Sequence, residues 1–188
     1  MRFELGSDSM KNFSKWFSAL AAFVLLAGPA VAGHAIAAGK VKGIQADKKE
    51  FVLTDSAGKD WTFKLSDTVI INRAGKESQS DLKADDPVNV CYDKGLVTWT
   101  AHYILVQEGD AKNRELMHGA VKNYDADKEE VTFTDQAKDW TFPMGYAKVR
   151  LNGKDSKIRD IKIGDKALAI VEKIGEVTTL KCLMIERK

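Results

Sequence analysis

The sequence predicts an all-β protein: two tandem five-stranded small barrels of OB or SH3-like type, behind a helical signal peptide. Three observations carry this. One pattern of residues occurs twice, about 80 residues apart, a period that fits a small domain and is too long for a solenoid repeat. Within each copy, short apolar stretches alternate at period two, as in Phe51-Val52-Leu53-Thr54 and Val131-Thr132-Phe133-Thr134. Clusters of Gly, Asp and Lys punctuate these stretches where strands must turn.

The elements follow in chain order. Lys11 and Lys15 form a basic start, Trp16 through Ala27 an apolar run, and Ala30-Val31-Ala32 a small-residue cleavage site after Pro29. That is the three-part secretory signal, assigned to 10–32. Ala35-Ile36-Ala37 offers a second cleavage site. An uncleaved anchor fits less well, because Pro29 and His34 interrupt the second half of the apolar stretch. Glu4 and Asp8 oppose a basic n-region, so 1–9 reads as a non-native or misassigned start ahead of Met10.

The first barrel is assigned to 39–106 and the second to 118–188. Ala46-Asp47-Lys48-Lys49-Glu50 matches Ala126-Asp127-Lys128-Glu129-Glu130, each a turn between strands one and two. Lys59-Asp60-Trp61-Thr62-Phe63 matches Lys138-Asp139-Trp140-Thr141-Phe142, the third strand of each unit. Asp85-Asp86-Pro87 and Gly164-Asp165-Lys166 turn into strand four, and Asp93-Lys94-Gly95 and Lys173-Ile174-Gly175 into strand five. Short helical turns are expected near Ser80–Lys83 and Ile158–Lys162. Closing five strands into a barrel removes exposed sheet edges. The polar segment 107–117 between the units reads as a linker, with a short helix over Ala111–Met117.

Composition narrows the function. The 188 residues carry 29 Lys+Arg against 27 Asp+Glu, and 44% are hydrophobic, which excludes wholesale disorder. Loss of 1–32 leaves 26 against 25, far from the basic footprint of a nucleic-acid binder. After signal cleavage nothing else in the chain is long and apolar enough to span a bilayer as a helix. The expected location is therefore the periplasm or the extracellular space.

Val41, Gly43, Ile44, Asp47, Leu53, Phe63, Leu82-Lys83, Asp86 and Val88 in the first unit form a pattern. Val121, Asp127, Phe133, Phe142, Ile161-Lys162 and Gly164-Asp165 repeat it in the second. The pattern resembles small secreted bacterial β-barrel domains of unknown function, and is similar to periplasmic copper chaperones with a five-stranded OB-type barrel. The resemblance implies a fold more than an activity. In those chaperones a His and two Met, capped by a Trp, hold Cu(I) near strands two and three. The matching stretches here contain Trp61 and Trp140 but neither His nor Met, and Met144 comes too late and alone. The two Trp read as core aromatics, and no metal ligands or cofactor are assigned.

Other chemistry is sparse. Asp125, Asp127, Glu129 and Glu130 read as a solvated turn, since the spacing of a calcium loop is missing. Cys91 and Cys182 either bridge one unit to the other or sit as two buried thiols. His34 falls at the new N-terminus, His118 in the lead-in to the second unit and His102 in a strand, none beside a nucleophile motif. No catalytic residues are assigned. Comparison of the copies pairs Trp99 with Thr179, Tyr92 with Val171 and His102 with Cys182. Aromatics that the second copy lacks are not demanded by the fold, so Trp99, Tyr92 and His102 are the candidate binding residues. The expected activity is non-catalytic binding of an envelope or extracellular ligand (protein, glycan or ion), with a metal-ion carrier as the alternative and a hydrolytic enzyme third.

The leader assignment has a direct check. N-terminal sequencing of the exported protein should begin at Gly33, or at Ala38 if the second site is used. A product that retains Trp16–Ala27 would contradict it.

Overall fold

The computed structural model describes residues 34–136 and 138–187. The expected start (1–9) and leader (10–32) lie outside the described residues. The described chain is all strand apart from turns and three single 3-10 turns at Ala46–Lys48, Gly109–Ala111 and Ile158–Asp160. The first sheet is built from β1 (His34–Gln45), β2 (Glu50–Thr54), β3 (Asp60–Arg73), β4 (Lys76–Ser78), β5 (Pro87–Lys94) and β6 (Trp99–Val106). The second comprises β7 (Arg114–Asp125), β8 (Glu130–Asp135), β9 (Lys138–Pro143), β10 (Lys148–Leu151), β11 (Lys154–Ser156), β12 (Lys166–Ile174) and β13 (Val177–Ile185).

The first sheet runs β2-β1-β5-β6-β3-β4, and β2 also pairs with β3, so five strands close into a barrel with β4 as a flap on β3. The second runs β11-β10-β13-β12-β7-β8-β9, the same order with its long third strand split into β9 and β10. No ladder joins β9 to β13, and the cause is local. Leu65 N–H donates to Lys49 across the β2 side, so alternation aims the Lys64 N–H at β6. Met144 N–H donates to Glu129 in the same way, which leaves Pro143 in the place of Lys64 with no N–H to give.

Each barrel turns its corner at a glycine. A Cβ on Gly39 would lie 2.3 Å from the Thr54 carbonyl oxygen, and one on Gly119 1.9 Å from that of Thr134. At Gly39 the first strand passes from β5 to β2, and only a residue without a side chain admits that approach. Phe51, Phe63, Ile71, Val88 and Val90 fill the first core, and Phe133, Phe142, Met144, Val171 and Leu183 the second. Each fully buried Phe contributes roughly 1.5–3 kcal/mol.

A third apolar cluster lies between the barrels: Cys91, Tyr103, Leu105, Ala111, Leu116, Ile170 and Cys182. All but Ala111 and Leu116 lie next to core residues along β5, β6, β12 and β13, so those strands are buried on both faces. Buried Asn89 accepts the Leu116 N–H at 3.1 Å across this seam, and Arg150 pairs with Glu77 at its edge.

Several expectations are corrected here. The first strand starts at His34, not near residue 39. The expected helix over Ala111–Met117 is absent: Arg114–Met117 already pairs with Ala169–Glu172 of β12, and that tertiary pairing overrides local propensity. A 3-10 turn occupies Ile158–Asp160, but none forms at Ser80–Lys83. The β5–β6 and β12–β13 hairpins carry bulges at the same place, which makes Tyr103, not His102, the counterpart of Cys182.

One arginine organises the base of the first barrel. The Arg73 side chain is 14% exposed and meets Asp81 (3.0 Å), Asp86 and Glu108, while Asp86 also accepts the Lys83 N–H at 2.7 Å. Arg187 does the same for Asp165 from the end of the second barrel. Arg73→Ala should lower stability by about 2 kcal/mol, because it strands the largely buried Asp86 carboxylate. Denaturant unfolding measures this, and an unchanged midpoint would contradict it.

Candidate functional site

Of the 3 histidines of this chain, His34 and His102 meet at Asp93, and His118 brings its ring beside that of His34. His34 opens β1 directly opposite Asp93 of β5. His102 is the bulged residue of β6, the extra residue between Ala101 and Tyr103. A bulge re-aims a side chain, and this one turns the His102 ring to Asp93. His102 Nε2 lies 2.9 Å from Asp93 Oδ2, and His34 Nδ1 lies 3.1 Å from Asp93 Oδ1. The His34–Asp93 contact is off hydrogen-bond geometry, and both atoms, shielded from solvent, have no hydrogen-bond partner among the described residues. Such orphaned atoms are costly unless something satisfies them. Donor atoms of His34, Asp93 and His102 all lie within 4.8 Å of one another.

From the second barrel, His118 of β7 brings its ring to 5.0 Å from that of His34, while His34 and His102 rings are 5.4 Å apart and nearly perpendicular. Burial pushes the His118 imidazole down to about 4, helped by the like charges of His34 and Lys166 and opposed by Asp93. It is therefore neutral at neutral pH, with a lone pair to offer.

The second barrel shows what the same positions do without imidazoles. The register that sets His34 opposite Asp93 sets Arg114 opposite Glu172, and the bulge that carries His102 carries Lys181. There Glu172 pairs with Lys181 at 2.8 Å and with Arg114 at 3.6 Å. Lys181 first, then Arg114, holds the Glu172 carboxyl below its usual range. There one acid lies between two fixed cations, although Arg114 Nε, at 3.6 Å, also makes no hydrogen bond among the described residues. In the first barrel two imidazoles replace the cations, and unlike ammonium or guanidinium they can coordinate an ion.

The sequence singled out Trp99, Tyr92 and His102 together, and the structure separates them. Trp99 of β6 stacks on Trp61 of β3 at 4.6 Å and on Tyr92 of β5 at 5.2 Å, a row across three neighbouring strands packed on the first core. Trp61 also donates to Asp55 Oδ2 at 2.8 Å and has Lys59 Nζ 3.7 Å over its ring. Flanked from two strands, the Trp99 ring is engaged in packing. His102 points away from this row to Asp93. His34 and Asp93 were missed as site residues, as was the meeting of His34 with His118. The available signal was the hairpin: Asp93 and His102 flank one turn and share its outer face.

Comparison with known proteins adds a likeness of fold. No protein-family model matches the chain, and no curated protein matches it. Among solved structures, a crystal structure of Ag(I)CusF is similar at 18% identity and TM-score 0.32, covering 39% of this chain and 96% of that one. A likeness of that depth carries nothing about the site.

Cys91 and Cys182 are free thiols in the seam between the barrels. Burial pushes their pKa values up to about 12 and about 11. Both should stay neutral and resist iodoacetamide at pH 8 in the native protein, and react once it is unfolded. Mass spectrometry checks this, and rapid native labelling of either would contradict it.

Proposed function

We propose that this is an exported, non-catalytic binding protein that holds a divalent transition-metal ion, Zn(II) or Cu(II), on His34, Asp93 and His102. The observation that carries the reading is the unpartnered pair, His34 Nδ1 and Asp93 Oδ1, which face each other at 3.1 Å beside His102 Nε2. A cation between them would satisfy both. Metal–donor bonds of about 2.0–2.2 Å place tetrahedral donor pairs roughly 3.3–3.6 Å apart. The present spacings of 2.9 and 3.1 Å need to open only slightly. Imidazole and carboxylate suit Zn(II) and Cu(II), whereas Cu(I) selects soft sulfur donors. Asp93 draws the cation in and the imidazoles supply lone pairs, the one on His102 Nε2 being free in the tautomer that carries its proton on Nδ1. Export, carried by the leader-like 10–32 segment, would place this site where metal ions are scavenged or passed on.

The second barrel supplies the control. The double variant His34→Arg/His102→Lys rebuilds the Arg114–Glu172–Lys181 arrangement around Asp93 and should fold normally. Isothermal titration should find one ion per wild-type chain and none in the double variant. Asp93→Asn should weaken binding by at least the ~10–100-fold that loss of an outer-sphere partner costs. Full binding by the double variant would overturn the reading.

A further inference from the structure

We infer that His118 is the fourth ligand of this ion, so that a single metal ties the two barrels together. The inference rests on the metal reading above and adds a residue from the other sheet.

The ring of His118 stands 5.0 Å from that of His34, and His102, on the far side, stands 5.4 Å from it. The His118 ring thus comes as close to His34 as the His102 ring does, but its nitrogens lie outside the set of donor atoms within 4.8 Å of one another, so the ring turns inward when the ion binds. Its direction is fixed by β7. Met117 turns into the second core, so alternation sends His118 outward to the first barrel. Its height is fixed by two backbone anchors. Leu116 N–H donates to buried Asn89 of β5, two residues before His118 and four before Asp93. Gly119, the next residue, lies against the Thr134 carbonyl, where no side chain could fit. The strand cannot slide without breaking one of these contacts. His118 is thereby held beside His34 by the fold itself, not by a flexible stem.

Three imidazoles and one carboxylate make a closed N3O set, the four-coordinate shell that Zn(II) and Co(II) accept. Three ligands from the first barrel alone would leave positions to water. The two arrangements differ in spectrum. Four-coordinate Co(II) gives intense visible bands, and six-coordinate Co(II) weak ones.

The test uses the metal-free mature protein titrated with Co(II), then Zn(II). The wild type should give the intense spectrum. His118→Ala should still take up Co(II) through His34, Asp93 and His102, with the visible bands collapsed, and should bind Zn(II) more than ~10-fold more weakly. His118→Cys should restore the intensity and add a sulfur-to-cobalt charge-transfer band in the near ultraviolet, which a merely structural role would not produce. Far-UV circular dichroism confirms that the variants fold. If His118→Ala keeps both spectrum and affinity, His118 lies outside the coordination sphere and the inference falls while the metal reading stands. If the wild type takes up neither ion, both fall.

Discussion

The apolar seam between the two sheets is the constraint on which the rest depends. Cys91, Tyr103, Leu105, Leu116, Ile170 and Cys182 leave no room for the barrels to pivot independently. Each is a chain neighbour of at least one core residue, so moving one barrel would disturb both cores. Asn89 adds direction, because its buried carbonyl oxygen is satisfied only when β7 presents the Leu116 N–H to it. Residues on opposite sides of the seam are therefore held at fixed separation. This is how a histidine of the second barrel comes to stand beside His34 of the first.

Much of the fold was legible because its signals are local. Period-two stretches, the turns at Asp47 and Asp127 and the matched Asp86 and Asp165 all report on neighbouring residues. The split third strand of the second barrel was also written locally, in Pro143, once its hydrogen-bond direction is known. Even the seam left a trace. Val88–Cys91, Tyr103–Val106 and Ala169–Val171 are unbroken buried runs where a strand with one wet face would alternate.

The histidine cluster was less legible, for a geometric reason. His34 meets Asp93 across 59 residues of chain through the β1–β5 register, and no local pattern fixes that register. The bulge at His102 shifts the pairing by one residue, so comparing the copies by sequence alone matched His102 with Cys182 instead of Lys181. Corrected for the bulge, the comparison becomes informative. The two barrels share an acid flanked from β1 or β7 and from the bulge, and differ in whether the flanking groups are fixed cations or metal-capable imidazoles. One framework thus supports an ion-pair triad in one copy and, on the reading proposed, a coordination site in the other.

X-ray absorption at the metal edge of the loaded protein tests this account most directly. A first shell made only of nitrogen and oxygen near ~2.0–2.2 Å, with the outer-shell scattering of imidazole rings, is the predicted result. A sulfur shell near ~2.3 Å would place the ion on Cys91, Cys182 or a methionine, and would contradict the assignment of the histidine–aspartate junction as the site.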